Sequence, residues 1–243
     1  MDDSKPRLLI LDIETAPAEM WGWGMYNQNF GVEQVKADPY ILCVGFQWLG
    51  EGPPDCLTLW ELGPELMHAR VRELMQLADG IISKNGVKFD YPWLMTEFLK
   101  YGIKPPRLAT HIDLDKVAKK EFRFHSNKLD YILQYLDIGS KVDTGGFKLW
   151  RQVMEGNEAA RKKMVRYCKM DVRQTGRLYN KMKGFITNHP AMRSLGSEAC
   201  PTCQSKRTKK DGIRRTPCFH IQTHQCLEIG CGRYFSGKRW KVA

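Results

Sequence analysis

The chain has 243 residues, of which 42% are hydrophobic, and it carries a formal net charge of +11. This length and composition suit one ordinary domain with a small additional module, and they exclude global disorder. No apolar run approaches the roughly 18 residues that a membrane-spanning helix requires, so we expect no membrane contact.

The amino terminus is acidic and lacks a small-residue cleavage site, so we expect no signal peptide and a cytoplasmic location. The positive charge favours polyanionic partners, above all nucleic acid, although a basic surface that only confers solubility is the alternative. Residues 199–243 contain ten Lys and Arg against two acidic residues, which accounts for +8 of the +11. The rest of the chain is close to balanced.

Apolar runs and helical periods predict the elements of the first 187 residues. The first run is apolar on both faces, as expected for a strand inside a sheet that helices cover. Glycine and proline at 50–54 separate two later strands and predict a hairpin. The predicted strands are 7–13, 40–49, 56–60, 80–83 and 108–114, and the predicted helices are 65–78, 91–100, 126–136 and 155–186, the last as one helix or two. This order predicts an α/β fold with a mixed sheet flanked by helices.

The periodic pattern breaks after residue 187, where polar residues, glycine and proline cluster. We therefore predict a domain of residues 1–187, a linker of residues 188–198 and a small module of residues 199–243.

Asp12 and Glu14 end the first predicted strand. Residues two apart on a strand point to one face, and two neighbouring carboxylates repel each other unless a cation lies between them. Oxygen ligands of this kind suit Mg²⁺ or Mn²⁺ rather than zinc. The pattern D-x-E is weak alone, and both side chains could instead be solvated where the strand enters its loop.

Two further patterns carry acidic residues. Asp90 ends the pattern N-x-x-x-F-D, which begins at Asn85 and lies between a predicted strand and a predicted helix, where an aspartate could also be a helix cap. Tyr167 and Asp171 are four residues apart on a predicted helix, so phenol and carboxylate share one face. A core tyrosine beside a surface aspartate is the alternative for this pair.

The three patterns, in this order, resemble the motifs of the DEDD superfamily of 3′–5′ exonucleases, which are proofreading-type nucleases with an RNase H-like fold. The resemblance covers residues 7–187 and includes a likeness to bacterial and phage members, so the location would be the host cytoplasm for a phage-encoded chain. Arg166 stands where the histidine subclass has His, so the tyrosine subclass, with Tyr167, is the better match.

The resemblance implies two Mg²⁺ or Mn²⁺ ions and release of nucleoside 5′-monophosphates. Two ions about 3.5–4 Å apart stabilise the attacking and leaving oxygens of an in-line phosphoryl displacement. The family pattern assigns Asp12 to both metals, Glu14 and Asp171 to the metal that carries the attacking water, and Asp90 to the second metal. It assigns Tyr167 to orienting that water.

The resemblance also implies contacts to the substrate. Thr15 would offer its backbone to the terminal nucleotide, and Asn85 and Phe89 would line the path of the strand, although Phe89 could equally be core. A loop after the first strand is rich in aromatic residues, which either stack on unpaired bases or form a buried lid. They are Trp21, Trp23, Tyr26 and Phe30.

Clustered cysteines without a secretory signal indicate a metal rather than disulfides. Four thiolates suit a structural Zn²⁺, which would stabilise a module too small to bury much core. The four expected ligands are Cys200, Cys203, Cys226 and Cys231. The module resembles the zinc ribbons of transposases and other DNA-handling proteins, but its second pair, C-x₄-C, is two residues longer than theirs. The substitute ligands nearby are Cys218, His220 and His224, and free thiols on a disordered basic tail are the alternative to a metal.

Several functions fit this set of patterns. Single-stranded DNA is the favoured substrate because a 3′ end must be unpaired to thread into such a site. An exoribonuclease of the same mechanism, or a catalytically silent nucleic-acid-binding or adaptor protein that uses the ribbon, is the alternative. The charge of the ribbon favours phosphate contacts, and docking to a replication or repair protein is the competing role.

Overall fold

The computed structural model of the chain describes residues 6–26, 28–107, 110–140, 144–187, 189, 199–203 and 205–241. The described residues form ten strands: β1 (Leu8–Thr15), β2 (Glu19–Met20), β3 (Val35–Ala37), β4 (Ile41–Trp48), β5 (Asp55–Thr58), β6 (Gly80–Ser83), β7 (Thr110–Asp113), β8 (Thr208–Arg215), β9 (Phe219–Cys226) and β10 (Tyr234–Lys241). The helices are α1 (Leu59–Leu62), α2 (Pro64–Leu77), α3 (Asp90–Lys100), α4 (Leu114–Glu121), α5 (Leu129–Tyr135), α6 (Phe147–Met154) and α7 (Glu158–Met182), with short 3₁₀ turns at Val32–Gln34 and Lys183–Phe185.

A five-stranded sheet forms the centre of the fold, in the order β5-β4-β1-β6-β7. β4 pairs antiparallel with both β1 and β5, whereas β6 pairs parallel with β1 and β7. The predicted mixed sheet flanked by helices is therefore confirmed, and the predicted hairpin corresponds to β4 and β5.

Alternate residues of β1 pack into two different apolar layers, because successive strand residues point to opposite faces. Leu8 and Ile10 pack on the face covered by α4, α5 and α7. Leu9, Leu11 and Ile13 pack on the face covered by α2 and α3. Asp12 and Glu14 continue the first of these series, so the pleat directs their carboxylates towards α7.

Most predicted elements are present with shifted ends. Residues 59 and 60 belong to α1 rather than to the predicted strand 56–60, and the predicted helix 126–136 begins only at Leu129. Residues 108 and 109 of a predicted strand lie outside the described residues. The sequence did not predict α4 or α6. The predicted helix 155–186 is one continuous helix, which Asn157 begins by accepting a hydrogen bond from the Ala160 amide at 2.9 Å.

The carboxy-terminal part of the described chain forms a three-stranded antiparallel sheet, in the order β10-β9-β8. Its apolar contacts centre on the cysteines and Phe235. His189 is the one residue of the predicted linker within the described part of the chain, where its Nε2 lies 2.6 Å from the Tyr179 hydroxyl. The domain boundaries at residues 187 and 199 stay a prediction. Among the described residues, none of the helices combines the length and apolar character needed to span a bilayer.

Candidate active site and metal centres

Three carboxylates from two distant elements converge on one face of the central sheet. One oxygen of each of Asp12, Glu14 and Asp171 lies within 4.8 Å of the corresponding oxygens of the other two. Asp12 and Glu14 are half-buried on β1, and Asp171 is buried on α7. Because Asp171 is not a surface aspartate, the alternative of a core tyrosine beside a solvated carboxylate is wrong.

Gly45 allows α7 to approach the sheet closely enough to form this group. It lies on β4 directly opposite Asp12. A Cβ atom at position 45 would meet the Cys168 Sγ at 2.7 Å and a Val172 methyl at 2.9 Å. The space that glycine leaves is therefore filled by α7, one turn before Asp171, and the Cys168 Sγ lies 3.8 Å from the Asp12 carbonyl oxygen.

Asp90 is buried beside the group of three but is not a member of it. Its Oδ1 accepts a hydrogen bond from the Ile13 amide, between the two acidic residues of β1, at 3.0 Å. Phe89 is the N-cap of α3, so the alternative of Asp90 as a helix cap is wrong. Burial raises the pKa of Asp90 to about 7, and the nearby charge of Asp113 acts in the same direction. A cation at this position would offset that cost.

The loop that carries Asn85 and Phe89 is held from below by Asp113. The Asp113 carboxylate accepts hydrogen bonds from the backbone amides of Asn85, at 2.9 Å, and Val87, at 3.2 Å. Asn85 adopts a left-handed backbone conformation with φ of 68°, which asparagine tolerates better than most residues. Phe89 is 40% exposed and contacts the Trp93 ring, so it is not a core residue.

Tyr167 and Thr15 flank the acidic group along their elements. Tyr167 lies one turn before Asp171 on α7, and its ring packs edge-on against Trp150 with ring centres 6.2 Å apart. Thr15 is the last residue of β1 and follows a register shift, so its backbone leaves the regular ladder there.

The loop after β1 exposes its aromatic residues instead of burying them, so the alternative of a buried lid is wrong. Trp23 is 98% exposed and Tyr26 is 81% exposed. Trp21 and Phe30 are also exposed, and Lys36 lies 5.8 Å from the centre of the Trp21 ring.

Four cysteines assemble a second candidate metal centre in the three-stranded sheet. The sulfur atoms of Cys200, Cys203, Cys226 and Cys231 all lie within 4.8 Å of one another. The Cys200 and Cys231 sulfurs are 3.8 Å apart, and those of Cys203 and Cys226 are 3.5 Å apart.

The longer C-x₄-C segment closes through a turn with positive φ at Gly230, and the Cys231 amide donates to the Glu228 carbonyl at 3.0 Å. The three substitute ligands are not part of the described cysteine group. Cys218 is exposed, and His224 is stacked on Phe235.

Both donor sets fit cations of different character. Three carboxylates offer hard oxygen ligands, as Mg²⁺ and Mn²⁺ require, and four thiolates suit tetrahedral zinc. The hydrogen bond from Cys231 lowers the pKa of Cys200 to about 4 and raises that of Cys231. One thiolate therefore forms readily, and further ionisation of the four thiols needs a cation.

Sequence reasoning missed two features that shape the site. Asp113 caps α4 and holds the 85–89 loop, and a cap-type residue before a helical segment was its available signal. The sulfurs of Cys43, Cys56 and Cys168 also lie within 4.8 Å of one another in the layer beneath the carboxylates. Their wide separation in sequence gave no signal, because only the packing of α7 on the β4–β5 pair brings them together.

Comparison with known proteins gives one result for the main domain. The family model RNase_H_2, of the RNase_H superfamily, matches residues 9–183. No curated protein matches the chain in sequence. The family match supports a nuclease-type function that depends on divalent metal ions and acts on nucleic acid. Because the matched region covers most of the chain and coincides with the five-stranded sheet, its helices and the acidic group, the chain belongs to the RNase H superfamily.

Proposed function

We propose that the chain is a 3′–5′ exonuclease of the tyrosine subclass of the DEDD superfamily, with single-stranded DNA as the favoured substrate. The observation that carries the proposal is the convergence of Asp12, Glu14 and Asp171 from β1 and α7 within an RNase H fold. The position of Tyr167, one turn before Asp171 on the same helix, supports the tyrosine subclass.

Two Mg²⁺ or Mn²⁺ ions would be held by Asp12, Glu14, Asp171 and Asp90. Such ions would lower the pKa of the attacking water and neutralise charge on the leaving oxygen. Asp90 Oδ1 is engaged by the Ile13 amide, which leaves Oδ2 for a metal or for a water bound to it. That hydrogen bond also fixes the distance between Asp90 and the two carboxylates of β1.

Tyr167 would orient the attacking water through its hydroxyl group. A phenol with an ordinary pKa of about 10 is a poor base near neutral pH, so its contribution is positional. The edge-on contact with Trp150 restricts the tyrosine ring and supports that role.

The substrate would approach across residues that surround the acidic group. Asn85 and Phe89 lie on the loop that Asp113 holds, and Thr15 ends β1. The exposed aromatic residues of the loop after β1 offer flat surfaces on which unpaired bases stack without sequence preference. The four cysteines would bind one structural Zn²⁺ that stabilises the three-stranded sheet.

End-labelled single-stranded DNA and RNA, incubated with Mg²⁺, Mn²⁺ or EDTA, test the proposal. We expect a 3′ label to be released at once as a mononucleotide, and a 5′-labelled strand to shorten stepwise. Asp12→Ala should abolish both, while Tyr167→Phe should lower kcat without lowering metal affinity. Internal cleavage products, or full activity of a folded Asp12→Ala variant, would contradict the exonuclease assignment.

A further inference from the structure

The outer face of α7 carries a long row of basic side chains that the proposed chemistry does not use. α7 contains eight Lys and Arg residues against two acidic ones. Two of the eight make internal contacts: Arg161 lies over the Trp60 ring, and Lys163 donates to the Thr144 carbonyl. The other six follow each other at intervals of three or four residues, so they share one face. They are Lys162, Arg166, Lys169, Arg173, Arg177 and Lys181.

This row, here called the basic stripe, is open to solvent and poor in partners. Lys169 pairs with Asp55 at 2.9 Å and is half-buried, whereas the other five side chains are exposed. Within the described part of the chain, none of those five forms an ion pair. The stripe spans about 28 Å at 1.5 Å per residue, which corresponds to about eight base pairs of a duplex.

The stripe lies about half a turn around the helix from Asp171, because 3.6 residues complete each turn. Anything bound to it therefore occupies a different side of α7 from the acidic group. A groove along the helix is lined by Lys162, Arg166, Lys169 and Arg173. A second cleft, lined by Arg177, Lys181 and Lys183, continues at the far end and is bordered by Gly230 of the cysteine module.

The cysteine module extends the positive surface beyond that cleft. On its sheet, Arg214 of β8 and Arg239 of β10 flank Ile221 of β9 in one row, so both guanidinium groups stand on the same face. The Arg239 guanidinium lies 5.0 Å from the centre of the Phe219 ring on that face. Exposed cations beside an aromatic ring suit contact with phosphates and bases.

We propose that the basic stripe of α7 and the basic face of the cysteine module form a continuous phosphate-binding track for the nucleic acid behind the 3′-terminal nucleotides. The track holds the substrate outside the active site by its backbone and without base recognition. Its role as a substrate track rests on the proposed exonuclease function, whereas binding of nucleic acid to it does not.

The test compares two triple variants with the same change in charge. The stripe variant carries Lys162→Gln, Arg166→Gln and Arg173→Gln. The control variant carries Arg70→Gln, Lys100→Gln and Lys104→Gln, which lie on or beside α2 and α3, on the opposite side of the sheet. Both are made in an Asp12→Ala background without chelator, so that zinc is retained and the oligonucleotide is not degraded.

Binding of a labelled duplex with a single-stranded 3′ overhang is measured at several salt concentrations. Each phosphate contact contributes about 0.9 to the slope of log K against log salt. We expect the stripe variant to reduce the slope by about 2–3 and the control variant to leave it unchanged. Equal slopes for the stripe variant and its parent, or equal losses in both variants, would overturn the track and leave the stripe to another polyanion such as an acidic protein.

Activity of the same substitutions in the Asp12 background separates the two proposals. We expect a tetranucleotide, which is too short to reach the track, to be degraded equally by the stripe variant and the parent. A long substrate should show a raised KM with unchanged kcat. Altered salt slopes without mononucleotide release from any substrate would refute the exonuclease and keep the track, whereas normal slopes with active cleavage would refute the track alone.

Discussion

At the scale of single residues, Asp90 links the stability of the fold to the presence of a cation. Its burial raises the pKa from the ordinary 3.8 to about 7, so the folded protein without metal binds this proton more tightly than the unfolded chain. Stability from this group is complete below the unfolded pKa and is lost as the pH rises through about 7. At pH 8 without divalent ions the charged carboxylate therefore opposes folding.

Asp90→Asn removes this pH dependence and keeps an oxygen that accepts the Ile13 amide proton. Without divalent ions we expect the variant to be more stable than the parent at pH 8, by about 1–4 kcal/mol. The difference should shrink as the pH falls towards 4, and added Mn²⁺ should reduce it at pH 8. Urea unfolding at a series of pH values measures this, and a variant that is less stable than the parent at pH 8 would show that the charged form is favoured by burial partners instead.

Gly45 acts by leaving space rather than by making contacts. We expect Gly45→Ala to lower the free energy of unfolding by about 1–3 kcal/mol and to reduce activity, because the new methyl group displaces α7 and Asp171 with it. Cys168→Ala removes the nearest atom and should restore part of both quantities when combined with Gly45→Ala. Unfolding curves and kcat of the two single variants and the double variant measure the coupling, and strictly additive losses would argue against this contact.

At the scale of elements, the strong periodic segments were predictable and the short ones were not. The bounds of β6 agree with the sequence, and α2 and α3 begin within one residue of their predicted starts. α4 and α6 have eight residues each, and helices of that length depend on tertiary packing more than on their own propensity. Gly145 and Gly146 before α6 also gave the pattern of a loop.

The acidic pairs were predictable for the same local reason, whereas their meeting was not. The spacing of Asp12 and Glu14 follows from the pleat of a strand, and that of Tyr167 and Asp171 follows from the turn of a helix. Contact between β1 and α7 depends on Gly45, in a third element, and no spacing reports it. The pKa of Asp90 likewise depends on burial against β1, which lies 77 residues away in sequence.

At the scale of the whole molecule, two donor sets predict two kinds of metal dependence. We expect one zinc ion per purified chain, lost in Cys200→Ser and Cys231→Ser but retained in Cys218→Ser, whose parent thiol is exposed and outside the cysteine group. Loss of zinc should unfold the sheet of β8, β9 and β10, because the apolar cluster around the cysteines is small.

Elemental analysis and limited proteolysis measure these outcomes. Cleavage should concentrate within residues 199–241 of the zinc-free variants, while the region matched by the RNase H family stays resistant. Zinc retained after Cys200→Ser, or equal protease resistance in all three variants, would contradict a structural four-cysteine site.

The central position of β1 sets how the active site can open. This strand is bonded to β4 on one edge and to β6 on the other, and its apolar residues are buried on both faces. Backbone amides in such a strand exchange with solvent only when much of the domain unfolds. Asp12 and Glu14 are therefore carried by a slowly exchanging segment, so local fluctuation cannot disperse the carboxylates, and loss of the site on heating should coincide with cooperative unfolding of the sheet.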